Sequence, residues 1–392
     1  MKRRICVVTG SRAEYGVLSN ILRVIRRSKR LELRLVVTGM HLSKEFGHTV
    51  DEIVADGIPI AERVESQLSS DGTSAVAKSM GLGIIGLADC FTRLKPDLLL
   101  LTGDRYEIFA AAAAATVLNL PIAHVSGGEL TEGAIDEQLR HAITKMSHIH
   151  FVSLEENAAR VRQMGEESWR VHVIGGPWID NIRRMKRLSR ARLRKTLGAR
   201  LSRPTILVTY HPVTLQLGET ARHVRNLLAA LAEVDAEILF TYPNADAGGR
   251  VIISAIEGFA RAHPNAKVFK SLGSLLYLNL LSVVDLMVGN SSSGVVETQS
   301  FRLPVVNIGN RQAGRLIADN VLCVREEKAD ILRGIRKGLD EDFRRGLAGM
   351  KNPYGRGGAA ERIERILARV DLGPKLLKKR FAPASGRPQG RP

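Results

Sequence analysis

The residues able to do chemistry fall in short runs that follow apolar stretches. Thr102-Gly103-Asp104-Arg105-Tyr106-Glu107 is one, and His124-Val125-Ser126-Gly127-Gly128-Glu129, followed by Glu132, Asp136, Glu137, Arg140 and His141, is another. Several carboxylates at strand ends suit proton transfer and the stabilisation of a developing cation. Helix capping accounts for Asp104 and Asp136 equally well, and Asp136 with Arg140 is also an i,i+4 ion pair. The double glycine suggests close approach of backbone to a ligand. Other runs suit an anion. Thr9-Gly10-Ser11-Arg12 offers a guanidinium fork at a turn into a helix. Gly289-Asn290-Ser291-Ser292-Ser293-Gly294 has small residues that expose backbone N–H groups, and Glu297 four positions beyond Ser293 suits two ribose hydroxyls. A serine-rich cap is the plain alternative. His211, in Tyr210-His211-Pro212, reads as structural or functional, and Gly309-Asn310-Arg311-Gln312 adds a cation. The run after the first strand is not GxGxxG, and no Walker motif is present. Metal-ligand spacing is missing too, so no metal and no cofactor are expected. Arg12, Arg105 and Arg311 are then the expected counter-charges of a diphosphate.

These runs need strands to end where they begin. Strands are predicted at Arg4–Thr9, Leu33–Thr38, Pro59–Val64, Asp97–Thr102, Pro121–Val125, Ile149–Val152 and Val171–Ile174, with helices between them. The pattern restarts with strands at Thr205–Tyr210, Glu237–Tyr242, Ala266–Lys270, Asp285–Val288, Pro304–Ile308 and Val321–Val324. Near-continuous apolar strands alternating with helices mean parallel sheets covered on both faces. The expected fold class is α/β, with two Rossmann-like doubly wound domains. Residues 1–177 form the first, 178–358 the second, and 359–372 an amphipathic helix returning to the first; 373–392 are expected to be a flexible basic tail. In such sheets ligands sit at the carboxyl ends of strands.

Composition narrows the classes. The chain has 392 residues, 44% of them hydrophobic, and a net charge of +18. That length fits two domains at roughly 150 residues each. Nearly all the excess charge lies in Arg183–Arg203 and in the last twenty residues, segments with no acid. Neither interleaves stacking aromatics, so no nucleic-acid partner is expected. The longest apolar run considered, Ile108–Leu118, is too short to cross a bilayer, and no membrane partner is expected. Cys6, Cys90 and Cys323 lie too far apart for a disulfide framework, which points to a cytoplasmic setting.

Together the motifs at 8–16, 103–107, 127–129 with 135–145, 211–214, 289–294 and 307–312 resemble the hydrolysing UDP-N-acetylglucosamine 2-epimerases of sialic and related nonulosonic acid synthesis. They occur in family order over roughly residues 4–370. The resemblance implies a glycosyltransferase-B architecture, a UDP-sugar substrate and a homodimer or homotetramer paired through the first domain. It implies that UDP and the C2 proton leave to give a 2-acetamidoglucal, to which water adds with C2 inverted. By motif, Asp104 and Asp136 are the catalytic carboxylates, and Arg12, Arg105, His211, Ser291, Ser292, Glu297 and Arg311 bind UDP. His41 matches a histidine near the sugar or diphosphate.

One position departs from the pattern. Many members carry a glutamate immediately before Gly-Gly-Glu, where this chain has Ser126. Glu129, or a water held by Ser126, is the expected replacement. UDP-N-acetylglucosamine is the expected substrate, with UDP-2,4-diacetamido-2,4,6-trideoxyglucose as the alternative. A non-hydrolysing 2-epimerase, a glycosyltransferase and a nucleotide-sugar sensor are the rival classes.

Overall fold

The computed structural model describes residues 2–202 and 204–383. Among these residues the strands are β1 (Arg3–Thr9), β2 (Leu31–Thr38), β3 (Ile60–Val64), β4 (Leu98–Thr102), β5 (Ile122–Val125), β6 (Ile149–Val152) and β7 (Val171–Val173) in a first sheet. A second sheet holds β8 (Thr205–Thr209), β9 (Glu237–Thr241), β10 (Ala266–Phe269), β11 (Leu286–Gly289), β12 (Val305–Ile308) and β13 (Val321–Val324). The strand orders are β3-β2-β1-β4-β5-β6-β7 and β10-β9-β8-β11-β12-β13, and neighbouring strands pair in parallel. This is the expected pair of doubly wound α/β domains. In each sheet the order reverses beside the first strand, where two strand-end loops diverge and leave a crevice. The strands are apolar on both faces because helices cover both: β4, Leu98–Thr102, is buried throughout.

The helix Thr73–Leu94 carries Gly81, Gly83 and Gly86 at a GxGxxG spacing, but in its interior. Two of them serve packing: a Cβ on Gly83 would stand 3.2 Å from Ala110 Cβ, and one on Gly86 2.6 Å from a methyl of Val64. This 22-residue helix is also long and apolar enough, by length and composition, to cross a membrane, a feature the sequence reading passed over. It lies instead along β3 and the helix Tyr106–Val117, burying Leu87, Cys90 and Phe91.

The crossing helix, Ala359–Arg369, buries Ala359, Ala360, Ile363 and Leu367 in the core of the first domain beside the helix Arg12–Arg27. The helix Trp178–Arg184 also belongs partly with the first domain: the Asn181 carboxamide oxygen accepts from Ser19 Oγ at 2.9 Å and from the Asn20 N–H at 3.1 Å. Trp178 and Ile179 of the same helix pack with Val295 and Val296 of the second domain, so this helix joins the two. The expected loose tail is likewise fixed in its first part. Pro374–Leu377 is helical, Leu376 is buried, and Arg170 donates to the carbonyls of Lys375, Leu376 and Lys378. The remaining tail positions, 384–392, lie outside the described residues.

Candidate active site

The carboxyl ends of both sheets face one another across a cleft. On the second-domain side a cavity of about 180 Å³ is lined by Thr209, His211, Asn244, Ser291, Ser292, Ser293, Glu297 and Arg311, with Arg12 reaching in from the first domain. A neighbouring cavity of about 190 Å³ is lined by Asp136, Asp246, Arg105 and a set of apolar side chains. The two share a wall: Arg311 Nη2 lies 3.8 Å from Asp136 Oδ2, and His211 Nδ1 lies 3.9 Å from Asp246 Oδ2.

The first cavity is made from strand-end turns. β11 ends at Gly289, and Ser291 caps the next turn by accepting from the Ser293 N–H at 3.4 Å. The helix after that turn, Ser292–Val296, is five residues long. An anion there would depend on individual N–H groups and the guanidinium of Arg311 more than on a helix dipole. Asn290 locks this loop to the end of β8, accepting from the His211 N–H at 2.7 Å and donating to its carbonyl at 2.8 Å. Arg311 Nη1 and Gln312 Nε2 both donate to the Asn290 carbonyl. Burial, with Arg311 beside it, drives the His211 imidazole well below the ordinary histidine range. Its Nδ1 accepts from the Asn244 N–H at 3.2 Å, so the proton of the neutral ring is on Nε2, as a donor. Glu297 lines the same cavity, and burial raises its carboxyl. Tyr277, which no sequence signal marked, donates to Ser293 Oγ at 2.7 Å.

The carboxylates sit on the other side. Asp104 comes after β4 and is gripped by the buried Arg140, which also donates to Thr131 Oγ1 at 2.5 Å and to the Glu129 carbonyl at 2.8 Å. Burial pushes Asp104 up, but Arg140 overrides it and holds the carboxyl below its usual range. The next helix, Tyr106–Val117, has Arg105 at its N-cap with no side-chain cap, so Asp104 is not serving as one. Asp136 opens the helix Asp136–Met146 and does not pair with Arg140, whose partner on that helix is Glu137 at 3.1 Å. Burial, then the negative charges of Asp104 and Asp246, raise the Asp136 carboxyl to about 7. Two carboxyls of one cleft are thus pushed in opposite directions, one ionised and one retaining a proton near neutrality. That division is what a general base and a general acid need.

Other expected residues are placed differently. Arg105 is not a free counter-charge. Its guanidinium is 2.7 Å from Asp246, 3.2 Å from Glu107 and 3.8 Å from Glu14, so its donors are spent on carboxylates. Arg12 bridges the cleft, donating to the carbonyls of Tyr242 and Lys270 while lining the first cavity. His41 is fully buried between Thr9 Oγ1 at 3.0 Å and Thr49 Oγ1 at 2.7 Å, and burial lowers its ring to about 3. It lines neither cavity and holds β1 to the loop after β2. Glu129 pairs with Arg315 at 3.2 Å and accepts from Ser153 at 3.2 Å, also away from both cavities. Gly128 does not make room for a ligand either. With φ +73°, its missing side chain is replaced by the Asn157 carbonyl, 2.4 Å from where a Cβ would lie. Among the described residues no cluster of three or more His, Cys, Asp or Glu is arranged to hold a metal ion. Asp246 closes the strand-end run Tyr242–Asp246 just past β9, a run to which the sequence assigns no role.

The sequence profile of the family described as UDP-N-acetylglucosamine 2-epimerase matches residues 23–368. The chain belongs to that family. A Campylobacter jejuni relative, named GDP/UDP-N,N'-diacetylbacillosamine 2-epimerase (hydrolyzing), is 40% identical over 323 residues, 82% of this chain and 84% of its own. A Legionella pneumophila UDP-N,N'-diacetylbacillosamine 2-epimerase (hydrolyzing) is 36% identical, covering 97% of this chain and 99% of its own. In fold, the epimerase chain matches the crystal structure of a Neisseria meningitidis UDP-GlcNAc 2-epimerase bound to UDP-GlcNAc. The TM-score is 0.77 at 16% identity, over 94% of this chain and 100% of that one.

Proposed function

We propose that this epimerase-family protein is a hydrolysing 2-epimerase that converts a UDP-linked 2-acetamido sugar and water to the free C2-inverted sugar and UDP. The observation that carries the reading is the split between Asp104, held ionised by Arg140, and Asp136, which keeps a proton near neutrality and stands 3.8 Å from Arg311 at the wall between the two cavities. The C2–H of the substrate is not acidic by itself. As the C1–O bond breaks and its electron pair leaves with UDP, positive charge at C1 acidifies that proton. Asp104 stabilises the charge and takes the proton, giving the C1=C2 double bond. Asp136 then gives its proton to C2 from the other face. Water bonds to C1 and returns a proton to Asp136, and Asp104 loses its proton to solvent. Arg311 and the N–H groups of Ser291 and Ser292 neutralise the departing diphosphate. Glu297 receives the ribose hydroxyls. This assignment gives neither Glu129 nor Ser126 a proton to move.

For the sugar, the support favours UDP-2,4-diacetamido-2,4,6-trideoxyglucose, which is UDP-N,N'-diacetylbacillosamine, over the UDP-N-acetylglucosamine expected from the motifs. Both relatives at 36–40% identity carry that substrate in their names. The cavity beside Asp136 is lined by Val76, Ile135, Leu139, Leu217 and Ala247, which suits a C6 methyl and an acetamido methyl better than a hydroxymethyl. Release of UDP with no acceptor present, followed for each sugar nucleotide, is the test. Turnover with a kcat/KM at least ten-fold higher for the diacetamido sugar is expected; no UDP from either sugar contradicts the reading.

A cytoplasmic homodimer goes with the proposal. Leu82 and Ile85 on the helix Thr73–Leu94, and Val117 at the end of the next helix, are exposed, an apolar face suited to a second copy.

A further inference from the structure

Among the described residues, Asp246 is the carboxylate that the second domain supplies to the cavity lined by Asp136. It sits on the loop after β9, with its side chain 12% exposed. Across the cleft, Oδ1 accepts from Arg105 Nη1 at 2.7 Å, and Oδ2 lies 3.9 Å from His211 Nδ1 on its own domain. Arg105 is in turn anchored within the first domain by Glu107 at 3.2 Å and Glu14 at 3.8 Å. Asp246 also lines the same cavity as Asp136, which stands on the first domain. The distance between these two carboxyls is therefore set by how far the two domains are closed.

We propose that Asp246 is a positioning residue through which closure of the cleft keeps Asp136 a proton donor. The inference rests on the acid role given to Asp136 above. The charged groups that face Asp136 come from four places: Asp104 and Arg105 after β4, Asp246 after β9, Arg311 after β12, and Arg140 on its own helix. The two guanidiniums nearest the cavity wall, Arg105 and Arg311, favour the ionised form. Asp104 and Asp246 oppose them. Asp104 and Arg140 belong to the first domain and stay when the cleft opens, whereas Asp246 and Arg311 leave with the second. In the closed state Asp246 does two things at once. It adds a negative charge near Asp136, and it ties up the positive charge of Arg105 that would otherwise act on the same carboxyl. Both effects hold the proton on Asp136 while substrate is enclosed. Asp246 itself stays ionised: burial raises it, but Arg105 and Arg311 outweigh burial and lower it.

The test is the pH profile of kcat for the full-length protein, using the sugar nucleotide that the wild type turns over. Loss of the Asp136 proton sets the basic limb. Asp246→Asn removes one negative charge and frees Arg105, and both changes lower the pKa of Asp136. The basic limb is expected to move down by about one pH unit, the scale of one nearby like charge. Asp246→Ser should give the same displacement and serves if the Asn variant does not fold. Asp246→Glu should bring the limb back toward the wild-type position, and UDP affinity measured by calorimetry should change less than about three-fold in all three. A uniform fall in kcat with the limb unmoved would make Asp246 a structural tie and overturn the proposal, as would a limb displaced upward. If the wild type releases no UDP from either sugar nucleotide, it is the assigned function that fails, and calorimetric UDP binding by the variants would show that separately.

Discussion

The first domain contains two buried ionic clusters, and they are built for opposite ends. Far from the cleft, Glu166 accepts from Lys145 at 2.6 Å, from His150 at 3.0 Å and from Lys379 at 2.9 Å. Burial works to raise this carboxyl; its donors, His150 and Lys145 first, overrule burial and pull it down to about 2. Beside it Arg170 donates through Nε to Glu167 and through both terminal nitrogens to backbone carbonyls. In the cleft, by contrast, Asp136 has its nearest cation 3.8 Å away, and the Nε atoms of Arg140 and Arg311 have no protein partner among the described residues. The first cluster lowers its free energy by giving both oxygens of its carboxylate close donors, although His150 Nδ1 has no partner among the described residues. The second leaves one carboxyl poorly compensated, and that is why it holds a proton near neutral pH. Burial of charge alone therefore does not mark an active site; incomplete compensation facing a cavity does.

Substitutions separate the two clusters. Asp136→Asn should lower kcat by about 10²-fold or more, the usual scale of acid–base catalysis, and leave UDP affinity and thermal midpoint near wild type. Glu166→Gln should do the reverse: about 1–2 kcal/mol of stability lost, because the buried His150 and the partly buried Lys379 lose a charged acceptor, and kcat of the folded enzyme kept. Denaturant melts paired with activity measure both. The pH dependence of the second variant is fixed by the sign of the shift. The Glu166 carboxyl is lower in the folded chain than its ordinary 4.5, so its contribution is complete above that pH and disappears as pH falls toward 2. The gap in stability between wild type and Glu166→Gln should therefore narrow below pH 4.5.

Truncation at Gly373 probes the same cluster from outside. It removes Lys379 and three of the four backbone carbonyls that Arg170 binds, leaving that of His148, and should cost about 2 kcal/mol with kcat retained. A loose tail would have predicted no change. The smallest effect is expected from Arg311→Ala. UDP affinity should fall about ten-fold, as one charge-assisted contact is lost. The basic limb of kcat should move up, because a cation near Asp136 is gone. Titration of UDP by calorimetry, with a pH–rate profile, reads both.

Much of the fold was legible because parallel strands bury both faces. All thirteen strands in the described residues fall within two residues of the expected bounds; Asp104, Ser291 and Arg311 stand just beyond the carboxyl ends of those strands, and Asp136 opens the helix that follows β5. The features that escaped depend on contacts between distant segments. Arg105 looks like a phosphate ligand until Glu14, Glu107 and Asp246, from three separate loops and helices, surround it. The tail reads as solvated until Glu166 and Arg170 are seen beneath it. The helix Lys328–Leu339 escaped although Ile331, Leu332, Ile335 and Leu339 recur at helical spacing; Gly334 and Gly338 in its interior weaken the helical signal. Ser126, where a family glutamate was expected, adopts φ +71° and donates its N–H to the Phe151 carbonyl, holding β5 against β6 and not reaching either cavity.

The chemistry assigned to the cleft requires that a proton is taken from C2 and a different one returned while UDP leaves. Proton NMR of the purified protein with the sugar nucleotide in D₂O tests this directly. The predicted result is a free sugar of inverted C2 configuration, carrying one deuterium at C2, appearing in step with UDP. A UDP-linked epimer, or a free sugar that keeps its C2 proton, would contradict it.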